Sequence, residues 1–99
     1  QLGERIRGLL AAVTDHPLVA DVRGVGAMLG VELCHDGDPQ RPAAEAARGV
    51  IAKCREDDVL FIGAGLLGNV IRILPPLNVS DAEVDRAIGV LVKHLRAAR

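Results

Sequence analysis

The segment NVIRILPPLNVSDAE, from Asn69 to Glu83, combines a strand, a stop signal and a helix start. Its apolar run predicts a strand from Asn69 to Leu74. Pro75-Pro76 should end that strand, because proline has no amide hydrogen to give to a strand ladder. Ser80 and Glu83 form a capping box, which predicts that a helix begins just after the serine. The segment therefore predicts a short strand followed by the last helix of the domain.

The apolar run holds one charged residue, Arg72. In a strand it shares a face with Val70 and Leu74, whereas Ile71 and Ile73 point the other way. The fully apolar face should pack on helices. The face that carries Arg72 must therefore lie in surroundings that tolerate a charge. Two interpretations stay open from spacing alone. The head group reaches water at a sheet edge, or a rigid strand aims it at a carboxylate, which its planar fork binds with two parallel hydrogen bonds.

Apolar periodicity along the rest of the chain predicts an α+β domain. We expect a small, mainly antiparallel sheet of three to four strands covered by helices, in the order α-β-α-β-β-α. The elements before Asn69 are a helix ended by His16-Pro17, a glycine bend, a strand with Leu29, Val31 and Leu33 on one face, a helix starting near Pro42, and a buried strand Val59–Ile62.

Composition narrows the function classes. The 99 residues suffice for one small domain, and 49% of them are hydrophobic. One Phe and no Trp or Tyr argue against a stacking platform for single-stranded nucleic acid. A net charge of −1 argues against binding to a phosphate backbone. No apolar run is long enough to predict a membrane span. Cys34 and Cys54 are predicted to be free thiols in a cytoplasmic protein.

Other motifs favour ordinary structural interpretations. GAGLLG, residues 63–68, matches the glycine spacing of dinucleotide-binding loops, but a strand rather than a helix follows it, so Gly63, Gly65 and Gly68 are predicted to form a hairpin loop. The three histidines are scattered without zinc spacing, and no metal site is predicted. Lys53 lies among polar helix positions and is expected to be solvated.

Two stretches together resemble a known family. DVRGVGAMLGVEL (Asp21–Leu33) and GNVIRILPPLNVSDAEVD (Gly68–Asp85) are similar to the C-terminal small domain of class III aminotransferases, fold-type I enzymes that use pyridoxal phosphate. The resemblance covers nearly the whole chain. GNVIRILPPL looks most like the 4-aminobutyrate aminotransferase branch; acetylornithine and ornithine aminotransferases and dialkylglycine decarboxylase are close alternatives. Residues 1–99 are then expected to be a C-terminal fragment, which agrees with Gln1 already standing in helical rhythm.

The resemblance implies a role for Arg72. In the family, the arginine of the R-x-x-P-P stretch binds the α-carboxylate of the substrate. The full-length protein would move an amino group from an ω-amino acid such as 4-aminobutyrate to 2-oxoglutarate, as a cytoplasmic homodimer acting on amino-acid and 2-oxo-acid substrates. Pyridoxal 5′-phosphate and its lysine would belong to a large domain absent from this chain. We therefore expect no catalytic, cofactor-binding or metal-binding residue here and no activity of the fragment alone.

A hypothesis of another class uses the same fold. A free-standing regulatory α+β module could bind a small amino acid without chemistry, because small sheets with glycine loops serve many functions. It accounts for the fold alone, whereas the aminotransferase hypothesis also accounts for Arg72.

Overall fold

A computed structural model describes residues 2–25, 28–38, 40–64, 68–73 and 80–98. These residues form three α-helices and four strands. In chain order the elements are α1 (Leu2–Leu10), β1 (Val19–Val25), β2 (Met28–Leu33), α2 (Ala44–Glu56), β3 (Ile62–Ala64), β4 (Val70–Ile73) and α3 (Asp81–Ala97). Two short 3-10 turns, Ala11–Val13 and His35–Gly37, follow α1 and β2.

The four strands form one sheet in the order β1-β2-β4-β3, and all three neighbouring pairs are antiparallel. The predicted α+β class and the helix-covered antiparallel sheet are confirmed. The two central strands, β2 and β4, come from different parts of the chain and enclose α2 in sequence. Arg72 therefore lies in the interior of the sheet with a paired strand on each side, and an edge position is excluded.

The four strands agree with the predicted three to four, but the predicted order α-β-α-β-β-α has no separate element before β2. Val19–Val25 forms β1, where the sequence pattern indicates a glycine bend or bulge and a glycine-kinked strand. Gly24 lies within this strand, and the register irregularity falls earlier, between Val19 and Asp21. Pairing with β2 outweighs the low strand propensity of glycine, since strand preference depends on neighbours more than on the residue itself. Gly26 lies outside the described residues.

The predicted buried strand Val59–Ile62 is wrong in its bounds and its burial. Strand β3 begins only at Ile62, and the side chains of Leu60 and Ile62 are 74% and 58% exposed. Val59 and Phe61, which alternate with them in sequence, are buried. The chain leaves α2 through Asp58 at a φ of 63°, and the Val59 amide donates to the Cys54 carbonyl, so the next residues turn alternately inward and outward before the sheet begins.

The end of the first helix and the start of the last helix follow simple local rules. α1 ends at Leu10 and tightens into a 3-10 turn, so it stops before the predicted His16-Pro17 signal. At α3 the predicted capping box is confirmed: the Glu83 amide donates to Ser80 Oγ and the Ser80 amide donates to Glu83 Oε1, each at 3.1 Å. The double proline 75–76, Val79 and Gly65 lie outside the described residues.

One face of the sheet packs against the helices and forms the core. Leu29, Val31, Ile71 and Ile73 point into it and are buried. The helices contribute the apolar stripes that periodicity predicts, among them Ile6, Leu10, Ala47, Val50, Val84, Ile88, Leu91 and Leu95. Cys34 and Cys54 are free and buried, as predicted. Burial raises the pKa of both thiols, that of Cys54 to about 11, so they act as small apolar groups.

Candidate functional site: the helix-free face of the sheet

The other face of the sheet has no helix over it among the described residues, and we call it the helix-free face. Residues directly opposite one another in paired strands share a face. The strand register places two rows of side chains on this surface. One row is Arg23, Gly30, Arg72 and Ile62; the next is Asp21, Glu32, Val70 and Ala64. Charged groups therefore concentrate on β1, β2 and β4.

Arg72 stands at the centre of this face. It is directly opposite Gly30 on one side and Ile62 on the other. Its side chain is exposed, whereas its neighbours Ile71 and Ile73 are buried in the core. Within the described part of the chain, Arg72 forms no hydrogen bond or ion pair through its guanidinium. The fork is thus mounted on a strand that is paired on both sides, and its donors have no partner among the described residues.

Gly30 leaves a bare stretch of backbone beside Arg72. Its φ is not in the left-handed region, so the conformation itself does not require glycine. A Cβ there would lie 3.1 Å from Cγ1 of Val70, which is tighter than normal side-chain packing. Glycine inside a strand often marks a place that a ligand or another chain approaches closely. Here the close neighbour of Gly30 is the Val70 side chain.

A second arginine on this face, Arg23, forms ion pairs through one nitrogen. Arg23 Nη1 lies 2.7 Å from Oε1 of Glu32 and 3.2 Å from Oδ2 of Asp21. Cys34 donates a weak thiol hydrogen bond, at 3.8 Å, to the other oxygen of Glu32. Among the described residues, the face therefore presents one guanidinium with ion-pair partners, Arg23, and one without, Arg72, two strands apart.

Asn69 fixes the start of the arginine strand. It is the buried polar side chain of the described core, and its Nδ2 donates to the Leu33 carbonyl at 3.0 Å. The Leu33 amide donates in return to the Asn69 carbonyl at 2.8 Å. Gly68 precedes it at a φ of 69°, a conformation that glycine adopts without strain. These contacts lock the entry of β4 against the end of β2 and so set the position of Arg72.

The sequence pattern places Arg72 on a strand face that tolerates a charge, and the structure brings Arg72 and Glu32 to one surface. The pattern does not single out Arg23 or Asp21, because Arg23–Gly26 indicates a glycine-kinked strand without a defined partner. Alternation of Asp21 and Arg23 about a half-buried Val22 was the available signal. Asn69 gave no signal, since its role depends on pairing with a distant segment.

A second polar cluster lies on the helical side of the domain. The Asp57 Oδ2 atom is 2.8 Å from Nε2 of His94 and 3.4 Å from Nζ of Lys93. The His94 hydrogen bond, aided by Lys93, lowers the pKa of the Asp57 carboxyl. Asp57 thereby joins the C-terminal end of α2 to α3. A nearby cavity of about 270 Å³ is lined mostly by Ala, Gly and Val, with Lys53 and His94 at its rim.

The described residues contain no group of three or more His, Cys, Asp or Glu side chains that could hold a metal ion. None of the helices within those residues is long and apolar enough to cross a membrane.

Comparison with known proteins gives the family. Residues 1–95 match the family described as aminotransferase class-III. The 4-aminobutyrate aminotransferase GabT of Escherichia coli (strain K12) is 37% identical over 91 residues, covering 91% of this chain and 21% of the relative. The 5-aminovalerate aminotransferase DavT of Pseudomonas aeruginosa is 34% identical over 93 residues, covering 93% and 22%. Acetylornithine aminotransferase of Clostridium acetobutylicum is 36% identical over 88 residues, covering 89% and 20%.

Solved structures agree in fold. A phospholyase from Arthrobacter in complex with phosphoethanolamine superposes with a TM-score of 0.88 at 30% identity, covering 98% of this chain and 23% of the other. A Bacillus anthracis aminotransferase gives a TM-score of 0.83 at 28% identity, covering 96% and 22%. The chain spans about a fifth of the length of the curated relatives it matches. The family match extends over residues 1–95, and the fold agrees with solved members. The chain therefore belongs to the class-III aminotransferase family.

Proposed function

We propose that this chain is the C-terminal small domain of a pyridoxal-phosphate-dependent aminotransferase, in which Arg72 binds the α-carboxylate of the acid substrate. The observation that carries the proposal is the open Arg72 guanidinium on the helix-free face. A carboxylate is the natural ligand of such a fork, because two parallel N–H···O⁻ bonds match its geometry. Gly30, its register partner on β2, adds no side chain beside it.

Arg72 would contribute binding and orientation. Its backbone is held by ladder pairing on both sides, so little conformational entropy remains to be lost in the main chain when a substrate binds. A substrate fixed by its carboxylate presents its reacting carbon in a defined direction, and positioning of this kind lowers the barrier of a bimolecular step.

The residues of this chain do not fit the cofactor. Pyridoxal phosphate supplies an electron sink for amino-group chemistry and requires a lysine for its Schiff base. Lys53 and Lys93 are both exposed and lie on helices α2 and α3, on the opposite side of the sheet from Arg72. Ser80, the single serine of the sequence, already caps α3. In this proposal the cofactor and its lysine belong to another part of a longer protein.

The substrates follow from the relatives as a proposal. We infer an ω-amino acid such as 4-aminobutyrate as amino donor and 2-oxoglutarate as acceptor, in a cytoplasmic homodimer. 5-Aminovalerate is one methylene longer and fits the same chemistry. An acetylornithine-type donor is the alternative, since a relative of that name is similarly close. All these reactions share an acid whose α-carboxylate would meet Arg72.

Single-turnover kinetics of the two half-reactions, measured on the full-length enzyme, test the proposal. A hydrogen bond to a charged group contributes about 1.5–3 kcal/mol, so Arg72→Ala should slow the glutamate half-reaction about 10- to 150-fold. Arg72→Lys should recover only part of this, because an ammonium cannot form the planar fork. The half-reaction with an ω-amine that has no α-carboxylate should suffer less.

Arg48→Ala is a matched control, since Arg48 is an exposed arginine on α2, away from the helix-free face. It should leave both half-reactions unchanged. If Arg72→Ala slowed both half-reactions equally and lowered the melting temperature sharply, Arg72 would be a structural residue and the site assignment would be wrong.

A further inference from the structure

Two carboxylates lie directly opposite each other on the helix-free face. Asp21 and Glu32 are register partners of β1 and β2. Like charges at opposed positions destabilise a strand pair. Arg23 offsets that repulsion, because its Nη1 atom lies within ion-pair distance of both carboxylates. Removing the Arg23 charge would leave Glu32 facing Asp21 without a counter-charge.

Glu32 is oriented by two contacts. Arg23 holds its Oε1 atom at 2.7 Å, and the Cys34 thiol donates to Oε2 at 3.8 Å. The side chain is only 19% exposed, so the carboxylate is not simply solvated. Both oxygens are thus engaged by groups that do not belong to β4.

Glu32 is also a diagonal neighbour of Arg72. It is directly opposite Val70, two residues before Arg72, and Arg72 is directly opposite Gly30. Diagonal positions in a sheet lie about 7–8 Å apart, within reach of long side chains. Gly30 adds no side chain to this part of the face, and Cγ1 of Val70 lies over it. Yet no ion pair joins Glu32 to Arg72 among the salt bridges of the described residues.

We propose that Arg23 is a positioning residue that holds the Glu32 carboxylate away from Arg72 and so keeps the Arg72 guanidinium available to an acid. The inference rests on the proposed function, in which Arg72 is the carboxylate site. Without Arg23, repulsion from Asp21 drives Glu32 toward β4. There its carboxylate pairs with Arg72 and competes with the substrate as an internal ligand.

The test uses the full-length enzyme and glutarate, a dicarboxylate with no amino or oxo group, as a competitive inhibitor. An exposed ion pair contributes up to about 1 kcal/mol, so Arg23→Gln should raise the inhibition constant of glutarate roughly 2- to 5-fold. The KM for the acid substrate should rise by the same factor, with little change in kcat. Adding Glu32→Gln to Arg23→Gln should return both constants toward wild type, because the competing carboxylate is then gone.

Arg41→Gln is the matched control. Arg41 is 57% exposed and pairs with Asp36 at 3.1 Å, whereas Arg23 is 62% exposed, so both variants remove a similar arginine from a similar surface pair. The control should leave glutarate binding unchanged. A purely structural role of Arg23 would instead lower the melting temperature and weaken both half-reactions, and Glu32→Gln would not restore them.

The outcomes separate the two proposals. If Arg72→Ala weakens glutarate binding but Arg23→Gln does not, or if Glu32→Gln fails to restore it, Arg23 has no positioning role and the proposed function stands. If Arg72→Ala leaves glutarate binding unchanged, Arg72 is not the carboxylate site, and the inference falls with the proposed function.

Discussion

The two faces of the same four strands obey different demands. On the helix-covered face, Leu29, Val31 and Ile71 are fully buried and hold the sheet to the helices. On the helix-free face, the residues next to them in sequence are Gly30, Glu32 and Arg72, and their side chains or backbone remain accessible. Because side chains alternate along a strand, every second residue of one short segment is buried and stabilises the fold. The remaining residues are released from the core and can carry charge.

The largest effect should come from the covered face. Ile71→Ala removes a fully buried side chain at the centre of the sheet and should lower the free energy of unfolding by about 2–5 kcal/mol, since both apolar burial and packing are lost. Urea unfolding of wild type and variant measures this. Ile62→Ala, on the helix-free face, is the matched control and should change it by no more than about 0.5 kcal/mol. Equal losses in the two variants would contradict the contrast between the faces.

A smaller loss is expected at the start of α3. Ser80→Ala removes the side-chain acceptor for the Glu83 amide and should cost about 1 kcal/mol of unfolding free energy. Ser80→Thr keeps a hydroxyl acceptor and should restore most of it. Thermal melts followed by circular dichroism report both variants. If Ser80→Ala and wild type had the same melting temperature, the cap would contribute nothing to stability and the prediction would be wrong.

The contact between α2 and α3 should make stability depend on pH. The His94 hydrogen bond, followed by Lys93, lowers the pKa of Asp57 in the folded state. A depressed carboxyl pKa stabilises the fold above the unfolded value, near 3.9, and this contribution is lost as pH falls through the folded value. Asp57→Asn should therefore destabilise the domain slightly at pH 7, and the difference should shrink as the pH falls below the unfolded pKa of the carboxyl. A constant difference from pH 7 to pH 2 would show that the Asp57 charge is not its source.

The smallest effect on stability should come from Arg72 itself. Arg72→Ala should change the free energy of unfolding by no more than about 0.5 kcal/mol, because the side chain is exposed and makes no ion pair with the described residues. Urea unfolding of Arg72→Ala and Ile71→Ala under the same conditions compares the loss of unfolding free energy at the two neighbouring positions. A loss above 1 kcal/mol would mean that the helix-free face also supports the fold.

The contrast between the faces also explains what could be predicted. Alternation in β2 and β4 is a local pattern, so the buried face and the outward direction of Arg72 follow from a few adjacent residues. The capping box at Ser80 is equally local. The run Val59–Ile62 misleads, because four consecutive apolar residues do not reveal which of them turn outward. Arg23 and Glu32 meet only through the register of β1 on β2, which short-range patterns do not specify.

The sheet order has a consequence for assembly. β1 pairs with β2, and β3 with β4, between segments close in sequence, whereas β2 meets β4 across the whole of α2. Contacts that close longer loops cost more entropy and tend to form later. Arg23 stands in the first pair of strands and Arg72 in the second. Neither half of the chain can therefore bring Arg23 and Arg72 together on one face by itself. The two arginines share a face only after β2 has paired with β4.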